Sequence, residues 1–281
     1  MPYTAEISRS NPACLVFLVD QSGSMKDPFG SGEVPLRKAD FLADVVNRTL
    51  HDLVIRCTKA EEIRDYFHVA VIGYGRHDRG VVAAWAGALA DRSLVKVSEV
   101  GEHPARIEER RKKVPDGAGG LVEQAVRFPI WMDPVAENGT PMCAALQQAQ
   151  QVVAQWVADH PNGFPPIVLH ITDGESGDGD PTADGNAILG LATSDGNALL
   201  FNCHLSSQRA AKSQFPSSAD GLADPFARTL FAISSPLPPT FAGAAGEMGL
   251  AVTEGARGFV FNADATELVQ FFDIGTRPAN R

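Results

Sequence analysis

The sequence predicts an α/β fold: a doubly wound, mostly parallel central sheet flanked by helices, with two irregular inserts. Three observations predict it. Residues 14–19, Cys-Leu-Val-Phe-Leu-Val, form an uninterrupted apolar run of strand length, the pattern of a strand buried on both faces. Over residues 36–55, Phe41, Leu42, Val45, Val46, Leu50, Leu53 and Val54 recur at helical spacing, which predicts an amphipathic helix. Further short apolar runs then alternate with helical stretches to the end of the chain, the order of an open sheet with helical crossovers. No internal repeat and no long linker interrupts it, so one domain over residues 1–281 is expected. Its core spans about 12–274, with inserts at about 86–138 and 205–239.

The first strand ends in an abrupt change of character, Asp20-Gln21-Ser22-Gly23-Ser24. Asp20, Ser22 and Ser24 are small oxygen donors at alternate positions, and a turn through Gly23 would aim all three at one spot. Hard cations are held by oxygen sets of this kind. Residues 26–35, rich in Gly, Pro and charge, read as an exposed loop, and 61–64 as a polar turn or helix end. A second buried strand is expected at 67–73, stopped by Gly73-Tyr74-Gly75, and an edge strand at 81–85 after a polar hairpin loop.

Residues 86–138 show no clean periodicity. Within them Glu108 and Lys112, and Glu109 and Lys113, stand at i,i+4, which reads as a solvated helix face rather than a nucleic-acid footprint. Phe128-Pro129-Ile130-Trp131-Met132 is expected to pack back on the body. Thr140 then caps a helix whose first position is Pro141, with Ala144, Ala145, Leu146, Ala149, Val152, Val153 and Trp156 on its buried side. The run 167–172 is another buried strand, and its His170 is expected to be a paired core histidine. It ends in Asp173, and Glu175, Asp178 and Asp180 beyond it read as an acidic surface loop. A helix at 182–192, a strand at 198–203, a helix at 241–248, a strand at 258–261 and a helix at 266–272 complete the pattern.

The formal net charge of -10 argues against nucleic acid as the main partner and is compatible with cation binding. The four cysteines are scattered without a CxxC pair. Cys14 and Cys203 read as buried free thiols, which suggests a reducing compartment. The first twelve residues lack a signal-peptide pattern and the apolar run after them is far short of a membrane span. A soluble, cytoplasmic protein is the expectation. There is no GxxxxGK[ST], and no GxGxxG after a strand, to suggest nucleotide binding.

In a doubly wound sheet, ligand sites form outside the carboxyl ends of the strands where strand order reverses. Asp20 to Ser24 and Asp173 both follow strands at that end, and Thr140 lies in a loop that can approach the same point. Asp20-x-Ser22-x-Ser24, then Thr140, then Thr172-Asp173-Gly174 resemble the three pieces of the metal-ion-dependent adhesion site of the von Willebrand factor type A family. The resemblance covers roughly residues 12–274. It implies Mg²⁺ (or Mn²⁺) at the top of the sheet, with hydroxyls like those of Ser22, Ser24 and Thr140 as direct ligands and carboxylates like those of Asp20 and Asp173 acting often through water. It further implies a partner protein whose Asp or Glu completes the metal's shell. With its free cysteines the chain looks like the intracellular bacterial members, including those linked to tellurite resistance or to protein kinases and phosphatases.

The expected function is therefore a metal-dependent protein-interaction module with no catalysis of its own. The alternative is a metal-dependent hydrolase or phosphatase using the same cation site. Phosphatases of the haloacid dehalogenase type also place an Asp after the first strand, but as Asp-x-Asp, and Gln21-Ser22 offers no second carboxylate for acid–base work.

Overall fold

The apolar run becomes strand β1, Ala13–Asp20, with every residue buried. In the computed structural model, which describes residues 2–29, 36–76, 80–115, 120–205 and 212–276, β1 is covered on both faces. Leu15, Phe17 and Val19 join a core with Leu42, Val46 and Leu50 of helix α1, Lys38–Cys57. Cys14, Val16 and Leu18 join the opposite core with Leu146, Ala149 and Val153 of helix α3, Met142–Asp159. The period-two alternation of side chains across a strand makes this division.

Strand β2, Phe67–Arg76, lies parallel to β1 on one side, with Leu15 opposite Val69 and Asp20 opposite Tyr74. Strand β3, Gly80–Ala83, turns back antiparallel as the expected edge, and β4, Val95–Lys96, also pairs β2. On the other side of β1 lies β7, Ile167–Thr172, then β8, Leu199–His204. Beyond β8 run β10, Phe259–Phe261, and the short antiparallel β9, Ser213–Gln214. Among the described residues the sheet thus has eight strands. Strand order reverses between β1 and β7, so Asp20 and Asp173 leave adjacent strands at the same end.

The later helices are α4 (Thr182–Leu189), α5 (Pro225–Ala232), α6 (Pro239–Glu247) and α7 (Ala265–Gly275). All four cysteines are free and buried. Among the described residues no helix is long and apolar enough to cross a membrane.

Three local expectations need correction. Residues 106–113 are not helical. They belong to β5, Arg106–Pro115, which pairs antiparallel with β6, Leu121–Ile130, in a two-stranded ribbon outside the main sheet. Charges at i,i+4 fit a strand face as well as a helix face, because both periods bring them to one side. Here Arg106 and Arg110 both donate to Glu108, at 3.0 and 3.1 Å, the two-residue period of a strand. The insert is therefore less irregular than expected, and it also contains helix α2, Val97–Glu102. Residues 61–64 are not a helix end either: Glu62–Ile63 pairs with Thr58–Lys59 in a small hairpin. In the second insert, α5 is an ordered helix with Asp224 as cap (2.9 Å to the Phe226 amide) and Pro225 at its first position.

The first insert is anchored by a buried amide. Asn47 of α1 accepts from the backbone N–H groups of Trp131 (2.8 Å) and Met132 (3.0 Å) and donates to the Met132 carbonyl (2.9 Å). The Trp131 indole donates to the Val100 carbonyl at 2.6 Å. The apolar segment 128–132 does pack on the body, with Trp131 only 1% exposed.

Candidate metal centre

At the end of β1 the Asp20 side chain organises its own turn. One carboxylate oxygen accepts from the Ser22 amide at 2.8 Å and the other from the Thr172 hydroxyl at 2.7 Å. The chain then enters a single 3₁₀ turn, Gly23–Lys26. The loop before α3 is laced onto this turn by backbone bonds: Glu137 N–H to the Gln21 carbonyl (2.8 Å), Gly23 N–H to the Asn138 carbonyl (2.6 Å) and Asn138 N–H to the Gly75 carbonyl (2.9 Å). Gly75, at φ +103°, sits where the three segments meet. A Cβ there would lie 2.7 Å from the Gly139 carbonyl oxygen and 2.8 Å from the Ser22 nitrogen, so only glycine allows the approach.

The oxygen donors form a continuous string. The Ser22 and Ser24 hydroxyls are 3.0 Å apart, and Ser24 donates to one oxygen of Asp173 at 2.7 Å. Asp20, Ser22, Ser24 and Asp173 are therefore brought together across the junction of β1 and β7. Thr140 lies in the laced loop, half-buried. Its carbonyl accepts from Gly177 N–H at 2.7 Å, while its hydroxyl makes no hydrogen bond among the described residues. It faces a shallow pocket of about 280 Å³ with Gly75, Asn138 and Gly177.

Thr140 is not the helix cap expected of it. Pro141 occupies the cap position, α3 begins at Met142, and Asp178 accepts from the amides of Cys143 and Ala144, both at 2.9 Å. Those amides, with the Ser176 hydroxyl, hold the Asp178 carboxyl below its usual range although partial burial opposes this. Asp180 similarly accepts from Thr182 at the start of α4. The acidic loop is exposed, as expected, and two of its three carboxylates serve helix starts. Asp178→Ala is expected to lower stability by about 1–2 kcal/mol in urea unfolding, with Asp178→Asn retaining most of it.

One member of the site escaped the sequence: Lys38, the first residue of α1. Its ammonium donates to the second Asp173 oxygen at 2.6 Å and stands 3.6 Å from Asp27. The side chains of Lys38 and Asp173 are 2% and 0% exposed. A signal did exist, since a lysine at a helix N-terminus opposes the helix dipole and needs another reason to be there.

Asp20 differs from Asp173 in having no basic partner among the described residues. Burial, with the neighbouring Asp173 charge adding to it, raises its pKa to about 6 against the hydrogen bonds from Ser22 and Thr172. A buried carboxylate short of a counter-charge, beside a second carboxylate and unspent hydroxyl lone pairs, fits a hard divalent ion. Among the described residues no group of three or more His, Cys, Asp or Glu side chains gathers as a metal site. The set here has only two carboxylates, the rest being hydroxyls.

His170 is a paired core histidine. Asn202 donates its amide to Ser234 (2.9 Å) and Leu230 (3.2 Å), so its oxygen faces His170 Nδ1 at 2.8 Å. Nδ1 therefore carries the proton and Nε2 accepts from the Tyr74 hydroxyl at 2.7 Å. Burial lowers its pKa to about 4 and keeps it neutral. His204 has a partner that sequence did not suggest, Asp224, at 3.7 Å. Beside Asp173, a cleft of about 330 Å³ is lined by Gly174, Glu175, Asp180 and Met142, with Phe226 and Leu230 of α5 on its far wall.

No protein-family model matches this sequence, and no curated protein matches it. Among solved structures, proximal thread matrix protein 1 from the mussel byssus is similar at 11% identity with a TM-score of 0.45, over 98% of this chain and 49% of its own. This chain thus spans about half the length of that protein. An uncharacterized membrane-spanning protein from Vibrio fischeri is similar at 14% identity with a TM-score of 0.27, over 93% of this chain and 97% of its own.

Proposed function

We propose that this chain is a metal-dependent protein-interaction module of the von Willebrand factor type A kind, in which Asp20, Ser22, Ser24, Thr140 and Asp173 hold Mg²⁺ (or Mn²⁺). The observation that carries the reading is the string Asp20–Ser22–Ser24–Asp173, drawn together from two adjacent strand ends. A divalent ion bound there supplies an electrophilic face to which a partner's Asp or Glu carboxylate adds. Asp20, Ser22, Ser24, Thr140 and Asp173 offer five donors to an ion that takes about six oxygens, which leaves a position for the partner's carboxylate. The partner surface is the rim around the site, including the cleft walled by Phe226, which is 38% exposed.

The reading assigns no catalysis. Ser22 and Ser24 bond to each other and Ser24 to Asp173, and His170 is spent between Tyr74 and Asn202. The proposed setting is a bacterial cytoplasm, in a stress-response or kinase- and phosphatase-linked signalling system, in keeping with four buried free thiols.

Titrating Mn²⁺ or Mg²⁺ while following thermal unfolding tests the site. At a hundredfold excess over Kd the wild type should gain about 5 °C in Tm, and Asp20→Ala/Ser22→Ala should gain nothing. Equal responses would overturn the site. Metal-dependent phosphate-ester turnover that is lost in the double variant would replace the binding module with the hydrolase.

A further inference from the structure

We propose that Lys38 is the resident cation of this site, and that a divalent ion occupies it only by displacing the Lys38 ammonium from Asp173. The inference rests on the metal reading above and adds a threshold to it. Both oxygens of Asp173 are in use, one by Ser24 at 2.7 Å and one by Lys38 at 2.6 Å. An ammonium held that close to a ligand carboxylate and a divalent ion on the same carboxylate repel each other, and both side chains are buried, which weakens screening. The two occupants exclude one another.

The position of Lys38 supports a dedicated role. Long lysine side chains normally run their stems along the surface and leave the charge in water. This one is folded inward from the first turn of α1, where the helix dipole disfavours a cation. Its backbone N–H is pinned to the Asp27 carbonyl at 3.0 Å. The Asp27 carboxylate stands 3.6 Å from the ammonium with 53% of its side chain exposed. A displaced ammonium therefore has a second acceptor within reach, on the solvent side, and need not cross open space to find it. The exchange moves Lys38 from the buried carboxylate to the exposed one and leaves Asp173 to the incoming ion. The module is thereby set to load at higher metal concentration than its oxygen set alone would require.

Calorimetric titration of Mn²⁺ into wild type, Lys38→Met and Lys26→Met tests this. Lys26→Met makes the same charge change at an exposed neighbour. Lys38→Met should bind Mn²⁺ about tenfold to a hundredfold tighter than wild type, and Lys26→Met should stay within about twofold. Should Lys38→Met not fold, the wild type alone still decides. Reductive methylation read by mass spectrometry should modify Lys38 slowly in the metal-free protein and severalfold faster with saturating Mn²⁺, other lysines being unaffected. Equal affinities in wild type and Lys38→Met, or Lys38 methylation unmoved where Mn²⁺ binding is measured, would overturn the displacement and leave the metal site standing. An absence of Mn²⁺ binding in both wild type and Lys38→Met would overturn the metal site itself, and the displacement with it.

Discussion

Asn47→Ala is expected to lower stability by at least about 3 kcal/mol, since it strands two buried amides and one carbonyl at about 1–3 kcal/mol each. Those groups are the Trp131 and Met132 N–H and the Met132 C=O. Asn47→Asp keeps the acceptor but turns a buried oxygen toward the Ala43 and Met132 carbonyls, so it should be no milder than alanine. The effect should travel. Met132 leads within a few residues into Glu137 and Asn138, whose backbone bonds hold the Thr140 loop against Gln21 and Gly23. Metal-dependent stabilisation should therefore weaken in Asn47→Ala although the residue touches no ligand. Urea unfolding gives the first quantity and a metal titration the second. A loss under about 1 kcal/mol would mean that water replaces the amide at all three groups.

The second large effect is a hidden pH dependence. Asp20 has its pKa raised to about 6 from 3.8, and His170 has its lowered to about 4 from 6.5, both chiefly by burial. Each shift corresponds to about 3 kcal/mol, with opposite signs. Between the two values the folded chain keeps a proton on Asp20 that the unfolded chain releases, so this contribution is present at low pH and lost as pH rises through about 6. His170 does the reverse: the unfolded chain takes up a proton below 6.5 that the folded chain refuses until about 4. In the metal-free wild type the two slopes oppose each other between about pH 4 and 6, and stability should vary little from this pair. Asp20→Asn removes one slope, and its stability should rise by about 3 kcal/mol from pH 4 to 6.5 relative to wild type. Denaturant unfolding of both proteins across that range checks it. Parallel profiles would show that Asp20 is not so perturbed.

The central sheet was legible because burial writes it into the chain directly. Residues 14–19 are apolar without interruption and 167–171 are broken only by His170, since both faces of these strands are covered. Helix α1 was equally visible, because Leu42, Val46 and Leu50 share one face. The β5–β6 ribbon was not. Its residues pack mainly on each other across the pair, with Ile107 and Val122 about half exposed, so no core imposed a recognisable pattern on it. The gathering of Asp20, Ser22, Ser24 and Asp173 at two strand ends was legible. Lys38 was missed because its partner lies 135 residues away, and no local pattern marks a charge that is satisfied at such a distance. Thr140 was misjudged as a cap for a related reason, since the carboxylate that performs this service, Asp178, arrives from beyond β7.

The pairing of β1 with β7 bears on the order of events at the ribosome. Asp20 and the Thr172 hydroxyl that it accepts from are separated by 152 residues, and synthesis at about 5–20 residues per second puts roughly 8–30 s between them. During that interval β1 can pair with β2, which emerges early, while its other long edge stays bare. Non-local strand pairs of this kind slow folding and leave apolar edges open to aggregation. A nascent chain arrested before Ile167 therefore carries one strand edge without its partner and Asp20 without the Thr172 hydroxyl. Chaperone occupancy on stalled chains should peak in that window and fall once β7 has emerged.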